Sequence, residues 1–182
     1  MELRRIEGEW SDQENLEAVN PNFGTGAKAL ITNCGNCTVA NELRHQGYDV
    51  VALPNLTGKG LSIDELADMF DGATVRNASK LSMTEAPSEM VRKVEQDVLT
   101  WGDGARGAIR GEWSRKNDNN AGHLFSLEVR NGVVKYDDGQ IGKENVKHLE
   151  NMKAQTLKYV RLDNTKPNDK VTKAVKNRME GI

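Results

Sequence analysis

The dipeptide Asn131-Gly132, set between the stretches His123–Arg130 and Val133–Tyr136, constrains this chain more than any other feature. A two-residue type I′ turn needs a positive φ at both positions, which Asn and Gly adopt at the least cost, and both flanks are rich in strand-forming residues. The spacing predicts an antiparallel hairpin whose register sets the position facing His123 near residue 140. Asp138 and Gln140 then stand within about two residues of that position, inside side-chain reach. The turn thus brings a titratable ring and a carboxylate together.

The rest of the chain divides into helices before residue 100 and strands after it. Residues 12–19 suit a short helix closed by Asn20-Pro21-Asn22. Cys37, Val39, Ala40, Leu43 and Arg44 follow an amphipathic helical spacing that Gly47 ends as a C-cap. Tyr48 to Leu53 reads as a strand stopped by Pro54-Asn55. Ser62-Ile63-Asp64-Glu65 is a capping box opening a helix that runs to about Phe70. Residues 71–85 read as loop and short strand. Ala86-Pro87-Ser88-Glu89 opens a helix with Met90, Val91, Val94, Val98 and Leu99 on one face, broken at Gly102-Asp103-Gly104. Ala105–Trp113 joins the two hairpin strands in a β-meander, and Thr156–Leu162 adds a further strand. Residues 143–154 and the basic last dozen are expected to be helical. The order predicts an α+β plan, with residues 1–182 as one domain, 1–20 an N-terminal extension and 165–182 a basic C-terminal tail.

Composition removes several function classes. Of the 182 residues 37% are hydrophobic and 29% charged, which suits a soluble domain with a core rather than a disordered segment. A net charge of −2 gives no overall field for nucleic acid, so no nucleic-acid partner is expected. The basic excess of residues 135–182, eleven bases against seven acids, reads as a solvated face. No apolar run reaches the roughly 18 residues a spanning helix requires, so no membrane insertion is expected. The opening residues carry acids where a signal peptide has a positive region and an apolar core. Trp10, Trp101 and Trp113 read as packing residues, and His45 and His148 as exposed and isolated.

Cys34 and Cys37 are the only cysteines. Zinc would require two more ligands at matching spacing, so no metal and no cofactor is expected. A redox pair is the other reading of Cys-x-x-Cys. Cys34, however, stands just before a helix start, where the dipole and free N–H groups favour a thiolate. With His123 as base and Asp138 as its orienting acceptor, the residue types make a nucleophilic site.

The motifs around these residues carry a resemblance. Asn33-Cys34-Gly35-Asn36-Cys37-Thr38-Val39-Ala40-Asn41-Glu42-Leu43-Arg44, followed by Gly47-Tyr48-Asp49-Val50-Val51-Ala52, resembles the papain-fold toxin family of polymorphic toxin tips and phage minor head protein domains. Gly122-His123-Leu124-Phe125 is similar to that family's histidine strand. Asp138-Gly139-Gln140 is similar to its Asp-Pro-Gln, with Gly139 in place of proline. Asn20-Pro21-Asn22-Phe23, Trp101 to Arg106 and Arg161-Leu162-Asp163-Asn164 resemble the phage-associated branch.

The resemblance implies a papain-like cysteine hydrolase fold, in which a nucleophile at a helix N-terminus packs on an antiparallel sheet carrying His and Asp. It implies deamidation of glutamine side chains on a target protein, or peptide hydrolysis. A catalytically silent phage-structural or binding domain is the bland alternative. Cys34 is the preferred nucleophile and Cys37 the alternative, since papain-like peptidases use the second cysteine of a similar motif. Gln140 and Asn33 are candidates for orienting the histidine or lining an oxyanion site. A toxin of this kind would meet an immunity protein. It would be made in the cytoplasm, then secreted or injected within a larger effector or phage particle.

Overall fold

Asn131 and Gly132 both hold positive φ, 53° and 73°, and the hairpin they close forms in the anticipated register, with Ser126 facing Asp137 and Arg130 facing Val133. The computed structural model describes residues 2–81, 86–114 and 121–179. Its helices are α1 (Asp12–Glu17), α2 (Lys28–Ile31), α3 (Cys34–His45), α4 (Ile63–Ala67) and α5 (Pro87–Leu99). Its strands are β1 (Val50–Ala52), β2 (Phe70–Asp71), β3 (Arg76–Asn77), β4 (Arg106–Trp113), β5 (Gly122–Arg130), β6 (Val133–Asp137), β7 (Met152–Arg161), β8 (Lys166–Pro167) and β9 (Val175–Asn177).

Five strands form one antiparallel sheet in the order β3-β7-β4-β5-β6. The meander β4-β5-β6 is as expected, and β7 returns along the far side of β4. Alternation along the strands builds a core on each face of the sheet. Ala108, Leu124 and Val160 pack with Val39, Ala40 and Leu43 of α3 and Leu66 of α4. Ile109, Phe125, Leu127 and Tyr159 pack with Met90, Val94 and Val98 of α5.

Helix α3 is not the half-exposed amphipathic helix its spacing predicts. Gly35 and every residue from Cys37 to Arg44 are buried, because sheet, β1 and α1 enclose it. Its polar side chains therefore need partners. Thr38 Oγ1 donates to the Leu124 carbonyl (3.2 Å) and Asn41 Nδ2 to Ser126 Oγ (2.9 Å). Glu42 accepts two bonds of 3.1 Å from Arg106, and Arg44 reaches Asp49 at 2.8 Å. Trp10 lies between the guanidinium groups of Arg44 and Arg178, 4.8 Å from each, which ties both chain ends to α3.

Three expectations are corrected. Residues 143–154 are not a helix: Asn145 takes a left-handed φ of 54°, His148–Asn151 is a 3-10 turn, and Met152 begins β7. Val146 and Leu149 have helical spacing, but pairing of 152–161 with β4 overrides it. The end of the chain is a 3-10 turn, Asp169–Lys173, and strand β9 paired with β1, not a helix, because Val171, Ala174 and Val175 are drawn into the core. The helix from Ser62 keeps its capping box but ends at Ala67. The 82–85 end of the stretch 71–85, Asn119 and Asn120 before His123, and residues 180–182 of the expected terminal helix lie outside the described residues.

Gly35 makes the start of α3 possible. A Cβ there would stand 2.5 Å from Leu61 Cβ and 3.1 Å from the Leu61 carbonyl oxygen, inside contact distance of a backbone that cannot swing away. Gly35→Ala is expected to cost about 1–3 kcal/mol of stability by overpacking. Thermal melting of the variant checks this, and an unchanged melting temperature would refute it.

Candidate active site

Cys34 is the first residue of α3 and is partly exposed. The first N–H groups of a helix have no intrahelical acceptor, so they and the helix dipole favour negative charge there. Cys34 lines a cleft of about 340 Å³ with Leu61, Arg110, Gly122, His123 and Lys158. His123 is the second residue of β5, where the sheet ends and the ring can meet a thiol arriving from α3.

One ring nitrogen of His123, Nε2, lies 2.7 Å from Asp138 Oδ2. This engagement leaves Nδ1 for the thiol. Burial opposes ionisation of Cys34, but hydrogen bonding and charge from His123, with a backbone bond at Leu124, outweigh it and lower the thiol's pKa. Burial also opposes protonation of His123, yet hydrogen bonds and charge from Asp138 and Cys34 push it up to about 9. Burial would raise Asp138, but its bonds to His123 and His148 hold it well below the usual carboxylate range. The shifts thus favour charge on both Cys34 and His123, with the Asp138 carboxylate beside the ring.

Cys37 has a different environment. It is 1% exposed, packed in the core beside Gly139, and burial followed by the charges of Cys34 and Asp138 raises its pKa well above the ordinary thiol value. Both cysteines are free thiols.

Gln140 and Asn33 come together behind the cysteine. Gln140 Nε2 donates to Asn33 Oδ1 (3.3 Å), and Asn33 Nδ2 donates to the Leu53 carbonyl (3.2 Å). The Gln140 backbone N–H donates to Asp138 Oδ1 (2.9 Å). These bonds couple the Asp138 turn to the start of α3, and no hydrogen bond joins Gln140 to His123 among the described residues.

His148 is neither exposed nor isolated. Its Nε2 lies 2.8 Å from Asp138 Oδ2, the oxygen His123 also uses, and its ring meets those of Trp113, His123 and Phe125 edge-on at 5.1 to 5.6 Å. Trp113 and Phe125 each stack on His123, at 5.8 and 5.7 Å. A predicted helix hid His148, and no signal in the sequence singled out Trp113 from a packing residue. His45 is likewise half-buried rather than exposed, and its burial lowers its pKa. His123, Asp138 and His148 are of metal-ligating type. Their N···O distances of 2.7 and 2.8 Å are hydrogen-bond lengths, whereas two ligands of a tetrahedral zinc stand roughly 3.3 Å apart. The cluster therefore fits a hydrogen-bonded brace better than a metal centre.

Compared with models of protein families, residues 32–143 match papain fold toxin 1, glutamine deamidase. The chain belongs to this family. The matched segment of this papain-fold toxin domain runs from the residues before Cys34 through His123 to the turn after Asp138. The chain is also similar to two solved variants of the Salmonella effector SpvD, at 12% and 11% identity. Each alignment covers 88% of this chain, and 85% and 83% of the other, with TM-scores of 0.49 and 0.42. No curated protein matches at a significant level. No helix among the described residues is long and apolar enough to cross a membrane.

Four outcomes are expected for this papain-fold toxin domain. Iodoacetamide at about pH 6 should label Cys34 well before Cys37, and His123→Ala should move the Cys34 labelling midpoint up toward the free value of about 8.5. Peptide mapping with a pH series reads both, and equal labelling of the cysteines would refute the first. The His123 ring should titrate near 9 by NMR. Asp138→Asn should bring that midpoint down, because the carboxylate is a main source of the raised value.

Proposed function

We propose that this domain is a cysteine hydrolase that deamidates glutamine side chains of a target protein, with Cys34 as nucleophile, His123 as acid–base group and Asp138 as the residue that orients it. The observation that carries the reading is His123, bound through Nε2 to a buried carboxylate at 2.7 Å while acting on the thiol at the first turn of α3. Family membership adds the amide as the expected electrophile.

The reaction balances on these groups. The Cys34 thiolate attacks the carboxamide carbon, and the oxyanion that forms faces the free N–H groups at the start of α3, including that of Cys34. His123 gives its proton to the departing nitrogen, so ammonia leaves and a thioester remains. Water then attacks the thioester while His123 takes its proton, releasing glutamate and the thiol. Asp138 fixes the ring and stabilises the imidazolium in both halves. Gln140 and Asn33 act as positioning residues that hold the Asp138 turn against the helix. Cys37 serves packing, since its burial opposes the thiolate.

The test is incubation with glutamine-containing protein, read by ammonia release and by mass, since each deamidated side chain becomes about 1 Da heavier. Cys34→Ala should abolish the change and His123→Ala should reduce it by about 10²–10⁴-fold, whereas Cys37→Ala should retain turnover. Cleaved peptide without the mass change would favour peptidase action. The rate should fall as pH passes about 9, where His123 loses the proton it must deliver. Activity surviving in Cys34→Ala would defeat the assignment.

A further inference from the structure

The cleft is lined by two cations in an arrangement that the fold does not need. Arg110 of β4 and Lys158 of β7 are direct cross-strand partners. Like charges placed opposite one another on adjacent strands repel, so such a pair is a net cost to the sheet. Both residues line the cleft that holds Cys34 and His123. Lys158 is partly offset by Asp64 at 3.5 Å, whose side chain is 65% exposed and thus heavily screened. Arg110 has no ion-pair or hydrogen-bond partner among the described side chains.

A second observation concerns where the guanidinium lies. A Cβ on Gly122 would stand 2.7 Å from Arg110 Nη2 and 2.8 Å from its Cζ. The guanidinium therefore lies across the backbone of Gly122, one residue from His123. It sits beside the acid–base group with its donors uncommitted. A planar guanidinium with free donors matches a carboxylate in two-point geometry, and a neighbouring ammonium adds charge.

We propose that Arg110 and Lys158 form a carboxylate-binding subsite, so that the glutamine taken by this cleft carries a Glu or Asp beside it in the target chain. The proposal rests on the reading of Cys34 as nucleophile, which fixes where the amide sits. With the amide carbon at Cys34, the flanking residues of the substrate run over the rim that Arg110 and Lys158 form. An acidic neighbour relieves the repulsion between the two cations, whereas a basic neighbour adds a third positive charge. The subsite thus selects by attraction and by rejection together.

The experiment separates binding from turnover. The full chain carrying Cys34→Ala is titrated with fluorescein-labelled nonapeptides that have a central glutamine flanked by Glu, by Ala or by Lys, and anisotropy gives the dissociation constants. At low salt the Glu peptide is expected to bind roughly fivefold more tightly than the Ala peptide, with the Lys peptide weakest. The differences should collapse toward equality in the double variant R110Q/K158Q, while Arg110→Lys should keep part of them. Both substitutions relieve the repulsion between the two cations and remove only the exposed Lys158–Asp64 pair. A thermal melt of R110Q/K158Q like that of the parent shows that a loss of preference reads the subsite and not the fold. Equal affinities, no measurable binding of any peptide, or a preference unchanged in R110Q/K158Q would overturn it. Ammonia release by the native chain is measured separately on the same peptides. No release with the charge preference intact would defeat the hydrolase reading and leave the subsite standing.

Discussion

The site depends on how α3 is seated against β5. The thiol comes from a helix on one face of the sheet, and the ring comes from a strand whose Phe125, two residues on, belongs to the opposite face. Thr38 and Asn41 bond to Leu124 and Ser126 and so fix the height and rotation of α3 along the strand. Gly35 allows the approach of Leu61 on one side, and Gly139 that of Val19 and the Cys37 carbonyl on another. A shift of about 1 Å in a reacting geometry can cost a hundredfold in rate. The buried polar bonds of α3 are therefore better understood as positional constraints than as sources of stability, since net gains from such bonds are small.

Asp138 is the second fixed point. Its backbone is held by reciprocal bonds with Lys143, of 2.8 and 3.1 Å, in the turn after β6. One carboxylate oxygen accepts the Gln140 N–H and the other serves two histidines. A buried carboxylate with this many donors stays ionised, which holds the His123 ring through Nε2 and favours its protonated form. The familiar proline after such an aspartate is a glycine here. The turn is held instead by the Lys143 bonds and by the contacts of Gly139 with α3 and Val19. His148 and the aromatic rings around His123 complete a cage that limits the ring's rotation.

Much of this was legible from local chemistry. Asn131-Gly132 carried its turn type and hence the register, and the register carried the His123–Asp138 pairing. The Ser62 capping box and Pro87 at the start of α5 were readable for the same reason, since caps are local contacts between neighbours in sequence. The errors fall where distant contacts outweigh local pattern. Residues 146–152 have helical spacing, yet a long strand partner offers Met152–Arg161 a full ladder of hydrogen bonds. The terminal segment has the charge of a solvated helix, yet Val171, Ala174 and Val175 find a core position and β1 offers an edge.

The sequence by itself determined the hairpin and the helix opening at the cysteine pair, because each is set by the conformational preferences of a few adjacent residues. Only the tertiary structure buried Cys37 and left Cys34 in one cleft with His123. It alone brought in His148, turned Gln140 toward Asn33, and set Arg110 opposite Lys158 at the rim. Those outcomes depend on which surfaces meet across long separations in sequence, where burial and charge act between groups that no local pattern connects.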